Sequence, residues 1–249
     1  MDPAESPHSA AGPVRTCIFC DRPVGSTEYL WPEWLCRRLT DNRHFWRAQR
    51  QEVHADSLLI AQMRHEVDLT VDCLCEQCTR GWMQRLDDDV SGFLISMIEG
   101  NHARLSPRQQ RLLARWAAKT AVVTEYVYDD PVLTPRPVRE YLRRVGVHPG
   151  TQVLVGRYDG ADRLLAHERD LFRRTIDDTV YHLSQSTFVI GKVLIQVFAD
   201  PWRENAPQPA EDTTSFLVPL VPTSSHKVVW PPDRAIDDAN YRRVRRGST

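Results

Sequence analysis

The sequence predicts an α+β fold: a zinc-stabilised N-terminal half, then helices, then an antiparallel strand-rich C-terminal region. Three observations carry that expectation. Two Cys-x2-Cys knuckles, Cys17-Ile18-Phe19-Cys20 and Cys75-Glu76-Gln77-Cys78, supply four thiolates, the number a tetrahedral structural zinc takes. Apolar residues recur at helical spacing through 81–99 and again from Ser106 toward Tyr128. Beyond Pro149-Gly150 the pattern changes to strand-like runs, punctuated by Asp159-Gly160 and by Gly191.

A chain of 249 residues suits one large domain or two small ones and can bury a core without staples. With 32 basic and 33 acidic residues the net charge is −1, which excludes a globally basic nucleic-acid binder but not a local basic face. The positive charge is nearly all arginine, since Lys119, Lys192 and Lys227 are the only lysines. Arginine suits bidentate contacts to phosphate and carboxylate, although a genome rich in G and C leaves the same bias. Residues 1–14 are small, polar and proline-containing, without a basic stretch leading into an apolar one, and read as a flexible arm rather than a signal peptide. No apolar run approaches a membrane span, so no membrane partner is expected. Six cysteines, four of them in knuckles and none accompanied by an export signal, point to reduced, metal-binding thiols and a cytoplasmic location.

Residues 15–148 are expected to form a zinc-knuckle domain with helices. The first knuckle is followed by a turn at Pro23-Val24-Gly25 and a helix opening near Pro32. Alternation in Arg43-His44-Phe45-Trp46 and in Glu66-Val67-Asp68-Leu69-Thr70-Val71 predicts strands leading into the second knuckle. The helix over 81–99 carries Trp82, Leu86, Val90, Leu94 and Met97 or Ile98 along one side and ends at Gly100-Asn101. Ser106 reads as an N-cap with Pro107 at the first helical position, opening a helix through Leu112, Leu113, Trp116, Ala117, Thr120 and Val123. A third helix over 138–145 follows two prolines and stops at Gly146. Region 149–232 is expected to be strand-rich, with strands over 151–158, 179–184, 187–190, 192–198, 216–221 and 227–230 and a polar loop over 203–214. Residues 233–249, ending in Arg242-Arg243-Val244-Arg245-Arg246, read as a mobile basic tail.

The spacing within each knuckle lets both sulfurs reach one ion from a tight turn. The 54 residues between Cys20 and Cys75 are long for a compact zinc ribbon and fit if a hairpin is inserted between the halves. Cys17, Cys20, Cys75 and Cys78 are the predicted zinc ligands. Cys73 could replace Cys75, with poorer spacing to Cys78, and Cys36 is expected to fill core space. Four thiolates close the coordination sphere, so such a zinc is structural and contributes folding energy rather than chemistry.

The text around the knuckles, Glu28-Tyr29-Leu30-Trp31-Pro32-Glu33-Trp34-Leu35 and Cys78-Thr79-Arg80-Gly81-Trp82-Met83-Gln84-Arg85-Leu86-Asp87, resembles the HNH endonuclease-like proteins of the His-Me finger type. In the group with paired knuckles, the first is followed by Glu-His-(apolar)-x-Pro-x-Trp-Leu and the second continues as Cys-Asn-x-Gly-Trp-Met and an acidic residue. The Trp116-Ala117-Ala118-Lys119-Thr120 segment is also similar to that group, so the resemblance spans roughly 17–128. It implies a ββα-metal finger on a treble-clef-like zinc knuckle. It also implies a general-base His, an Asn that orients it, and a divalent ion that stabilises the phosphorane-like charge. Here the His position is Tyr29 and the Asn position is Thr79. Tyrosine, with an ordinary pKa near 10, is a poor base at neutral pH, and threonine is shorter than an amide.

Glu28 and Asp87 match acidic positions of the family and could hold Mg2+ or Mn2+. Asp88 and Asp89 extend that run, which is also favourable charge near a helix N-terminus. His44, His54 and His65 could return a base, with nothing in their spacing to select one. Arg80, Arg85, Arg37 and Arg38 are candidates for phosphate contact, and the terminal arginines for weaker attraction. Trp31, Trp34, Trp82 and Trp116 are expected to clamp the finger to the helices; base stacking would require their exposure. The leading expectation is a degenerate HNH-like zinc protein that binds nucleic acid or a protein partner without His-based hydrolysis. The alternatives are a divergent metal-dependent nuclease using Glu28 and Asp87, and a scaffold recruited to small-molecule chemistry with a pocket shaped by the C-terminal strands.

Overall fold

The computed structural model describes residues 15–25, 27–40, 69–127, 132–161, 165–202, 215–221 and 227–246. His44, His54, His65 and the expected strand at 43–46 lie outside them, as do the N-terminal arm and the polar loop over 203–214.

The first half is built around the knuckles. Strand β1 (Glu28–Tyr29) pairs antiparallel with β2 (Thr70–Val71), and helix α1 (Glu33–Thr40) opens directly after Pro32. The second knuckle forms the short helix α2 (Glu76–Cys78), which continues through a π-turn over Thr79–Met83 into α3 (Gln84–Ile98). Gly81 lies in that turn at φ −96°, ψ −107°, outside the helical region. The kink lets one continuous segment serve both a metal knuckle and a packing helix. The buried stripe of α3 is Leu86, Val90, Leu94, Met97 and Ile98, one face at helical spacing.

Strand β3 (Ala103–Leu105) leads into α4 (Pro107–Thr124), which is opened by a full capping box. Ser106 Oγ accepts from the Gln109 backbone N–H at 3.3 Å, and the Ser106 N–H donates to Gln109 Oε1 at 3.0 Å. Helix α4 is the buried axis of the molecule, hidden from Leu113 and Ala114 through Thr124 except at Arg115. Helix α5 (Arg136–Arg144) returns toward the first knuckle, where Arg139 Nε donates to the Ile18 carbonyl at 2.8 Å.

The C-terminal region is a six-stranded sheet of β4 (Thr151–Tyr158), β5 (Leu165–Ile176), β6 (Thr179–Ile190), β7 (Val193–Ala199), β8 (Leu217–Val221) and β10 (Ala235–Ile236). The order is β10-β4-β7-β6-β5, and β8 joins β4 on the edge it shares with β10. All pairings are antiparallel except β10 with β4. Strand β9 (Val228–Trp230) instead pairs with β3, stitching the C-terminal region to the helices. Residues alternate between the sheet's faces. Val153, Val155, Phe188, Ile195 and Val197 share one core with α3, α4 and the knuckles, while Leu154, Val189, Leu194 and Leu217 form a second core with Tyr241 and Val244. One core therefore draws on residues from both sides of position 148.

Three expectations change. Residues 179–190 are one strand, because Gln185 and Ser186 are buried in the sheet rather than marking a break. Strand β5 has no counterpart in the sequence reading, and its charged run His167-Glu168-Arg169-Asp170 is fully buried. The basic tail is also largely folded, as β10 and helix α6 (Asp238–Arg246). Arg245 Nε donates to Asp170 Oδ2 at 2.6 Å and its other nitrogens reach Asp170 and Glu168, so charges that look solvated in the sequence pair with each other inside. Gln185 and Gln196 donate to the carbonyls of Arg245 and Val244, satisfying the end of α6.

Candidate metal centre

The two knuckles meet. The Sγ atoms of Cys17, Cys20, Cys75 and Cys78 all lie within 4.8 Å of one another. Cys20 and Cys75 are 3.5 Å apart, and Cys78 and Cys20 are 3.7 Å apart. A zinc–thiolate bond of about 2.3 Å in tetrahedral geometry sets sulfur–sulfur edges of about 3.8 Å. A disulfide needs about 2.05 Å, so the spacing is that of ligands around one ion. Backbone hydrogen bonds prepare the site: Cys17 N–H to Arg22 O at 2.8 Å folds the first turn, and Cys78 N–H to Cys75 O at 2.9 Å folds the second. Ile18 N–H to Cys73 O at 3.1 Å and Gly25 N–H to Leu74 O at 2.9 Å hold the turns together. A Cβ on Gly25 would sit 3.3 Å from the Glu76 nitrogen, so glycine allows this close approach.

The electrostatics fit a cation. A hydrogen bond from Cys78 holds the Cys17 sulfur at about 4, while the same contact together with burial pushes Cys78 up, and burial raises Cys75. Four adjacent sulfurs cannot all ionise by themselves; a divalent ion would let each bind as thiolate. Cys73, an alternative ligand by sequence spacing, lies outside this cluster, and burial pushes its thiol up to about 12. The donor set is therefore four cysteine sulfurs, compatible with a structural zinc and with a closed coordination sphere.

Of the other candidate residues, neighbours on a strand point to opposite sides, and only one of Glu28 and Tyr29 can face the second knuckle. It is Glu28: its Oε1 lies 3.3 Å from Thr79 Oγ1, and Tyr29 is 67 % exposed. Thr79 is also 3.1 Å from Glu76 O and 3.5 Å from Cys75 O, so its single proton serves one of three acceptors. Asp87 is occupied elsewhere. Its Oδ1 accepts from Trp116 Nε1 and from Lys119 Nζ, both at 2.8 Å, joining α3 to α4. Asp88 and Asp89 are exposed on the next residues of α3. Among the described residues the cysteine cluster is the one group of three or more His, Cys, Asp or Glu ligands close enough to share an ion.

Trp31 and Trp116 are fully buried; Trp31 meets Phe188 edge-on at 5.9 Å, tying the knuckle half to the sheet. Trp34 is half-buried against the same core. Arg80 pairs with Glu76 at 2.7 Å, Arg37 pairs with Glu33, and Arg38 pairs with Glu99. Arg85 has no such partner among the described residues and lies beside Arg143 and Arg144, two arginines the sequence reading does not single out. Sequence separation hides them, although their i, i+1 placement at the end of a short helix is visible. Between α4, α5 and the sheet lies a cavity bounded by Glu125, His148, Ser184 and Ser186, of about 30 Å³. That is room for one or two waters rather than for an organic substrate.

No family model, no curated protein and no solved structure matches the chain. No helix of the described residues is long and apolar enough to cross a membrane.

Proposed function

We propose that this chain is a zinc-stapled, HNH-like scaffold that binds nucleic acid without histidine-based hydrolysis. The observation that carries the reading is the fate of the residues around the staple. The four sulfurs keep the spacing a closed zinc site needs. Tyr29, at the position the resemblance gives to the general base, is exposed, and its neighbour Glu28 is the residue beside Thr79. Asp87 is committed to Trp116 and Lys119. A hydrolytic site needs a base within hydrogen-bond reach of the attacking water and an ion free to bind the phosphate. Among the described residues no histidine stands at the position of the base, and no second ligand cluster is placed to hold such an ion.

In this reading the zinc supplies no reaction step. Cys17 and Cys20 would hold the segment leading to β1, and Cys75 and Cys78 would hold the start of α3, so the ion fixes the strand pair against the helix. Nucleic acid would be engaged through arginine on the adjoining surface, where each phosphate contact releases counterions and makes affinity steeply salt-dependent. The test is a fluorescence-anisotropy titration of labelled DNA and RNA against zinc-loaded protein at increasing salt. Binding that weakens linearly in log–log form supports the reading; no binding to any of them at low salt overturns it.

A further inference from the structure

Beside the second knuckle, the surface carries two adjoining hollows of about 340 and 370 Å³ whose charge is of one sign. The first is bordered by Arg85 from α3 and by Arg143 and Arg144 from the end of α5, with Trp82 at its side. The second is bordered by Arg108, Arg111 and Arg115 from α4 and by the turn after α5. Among the described residues neither is lined by an aspartate or a glutamate. Arg115 joins them: it borders the second hollow while its guanidinium lies 5.4 Å from the centre of the Trp82 ring that borders the first.

Five exposed arginines elsewhere have carboxylate partners, Arg37 and Arg38 among them. Arg15 pairs with Asp72, Arg80 with Glu76 and Arg136 with Glu140, at 2.7–2.9 Å. By contrast, Arg85, Arg108, Arg111 and Arg144 are exposed and have no ion-pair partner among the described residues. Glu140, one helical turn before Arg144, is taken by Arg136. Arg115 also donates to the carbonyls of Leu142 at 3.1 Å and Arg143 at 2.6 Å, which masks the negative end of α5 that would otherwise repel an anion. Arg143 Nη1 reaches the Phe19 carbonyl at 3.5 Å, anchoring this wall to the first knuckle.

We infer that this arginine-lined groove between α3, α4 and α5 is the track on which a nucleic-acid backbone lies. The inference rests on the nucleic-acid reading above and identifies the surface that performs it. The chemistry selects phosphodiesters read by charge. The four exposed guanidiniums of Arg85, Arg108, Arg111 and Arg144 suit successive phosphate oxygens. Trp82, the one aromatic ring bordering the first hollow, is packed edge-on by Phe19 at 5.1 Å and overlaid by Arg115, so no ring is left as a stacking platform there. Binding on this track would be largely independent of base sequence. It would also depend on the zinc, because knuckle residues and α5 form its walls.

The test compares two groove variants, Arg85→Gln with Arg144→Gln and Arg108→Gln with Arg111→Gln, against an off-groove control, Arg173→Gln with Arg242→Gln. All six positions are exposed, and each pair removes the same charge. The probes are a short labelled DNA duplex and its single strand, titrated across salt, with a polyglutamate peptide as competitor. Each groove pair is expected to weaken binding at least about tenfold at moderate salt. It should also flatten the log–log salt slope by about 1.8 on duplex or about 1.4 on single strand, with the control changing either far less. Wild type that binds DNA while groove and control pairs fall equally overturns the track and leaves the nucleic-acid reading standing. Wild type that binds no DNA at all overturns both. Polyglutamate that competes as well as DNA per charge overturns the phosphodiester assignment and makes this a surface for acidic protein.

Discussion

Lys119 and Asp87 form a buried ion pair at 2.8 Å that locks α4 to α3, with the Lys119 side chain only 3 % exposed. The same Asp87 oxygen accepts from Trp116 Nε1, so one carboxylate satisfies two buried donors of the facing helix. Breaking such a pair from one side leaves an uncompensated buried charge, which costs about 3–5 kcal/mol. Asp87→Ala is therefore expected to destabilise the protein by about 3 kcal/mol in urea unfolding. Asp87→Asn with Lys119→Met should recover part of that loss. A fully stable Asp87→Ala protein would show that the carboxylate is held for another purpose.

The metal centre gives a second expectation. Purified protein should carry one equivalent of zinc, and Cys→Ser at Cys17, Cys20, Cys75 or Cys78 should abolish it, measured by elemental analysis. Cys73→Ser and Cys36→Ser should keep the metal, since neither belongs to the sulfur cluster. Chelation should unfold the knuckle half cooperatively rather than leave a stable apo fold, because zinc binding at such sites is folding energy. Retention of zinc by Cys78→Ser would mean that the ion sits elsewhere.

A histidine buried in its neutral form makes stability sensitive to acid. Complete burial, reinforced by the neighbouring Arg169, depresses His167 to about 3, and its ring stacks on Phe188 at 4.8 Å. The unfolded chain takes up a proton near pH 6.5 that the folded chain refuses. This contribution is fully present above about pH 6.5 and is lost as pH falls toward 3. At pH 5 the loss is about 2 kcal/mol. His167→Leu should flatten the stability profile between pH 6.5 and 5. An unchanged acid limb in that variant would contradict the assignment.

Arg245 closes the other side of the sheet. Arg245→Met would leave Glu168 and Asp170 buried without their cation, a loss of about 3–5 kcal/mol. Circular dichroism melting should then show α6 and the sheet failing together, because Tyr241 and Val244 share a core with Leu154, Val189 and Leu194. A variant that loses only terminal helix signal would place α6 outside the cooperative unit.

Much of this fold is legible locally. The cysteine spacing picks out the four sulfurs that cluster, Ser106-Pro107 marks the start of α4, and Gly191 marks the β6–β7 turn. Gly191 has φ +55°, and a Cβ there would meet Ile98 Cγ2 at 2.7 Å, so two constraints select glycine at once. What stays hidden depends on residues far apart in sequence. The charged run of β5 looks like a surface loop until Arg245 and Glu125 supply its partners: Arg169 lies 3.3 Å from Glu125, whose carboxylate also accepts from the Thr134 N–H and hydroxyl. The same limit applies to the site. Spacing shows that Cys17 and Cys75 could meet, but not that Asp87 is engaged by Lys119, nor that Arg85 lies beside Arg143 and Arg144.

A cleavage assay tests most directly whether this protein binds nucleic acid without cutting it. Zinc-loaded protein is incubated with plasmid, single-stranded DNA and RNA in Mg2+ or Mn2+, and the products are resolved alongside a mobility shift. Glu28→Gln is the control, because Asp87→Ala is expected to lose stability for a structural reason. Slowed migration at low salt with intact substrate is expected under every metal condition. Metal-dependent cutting by the wild type that disappears in Glu28→Gln would contradict it and return the chain to nuclease chemistry.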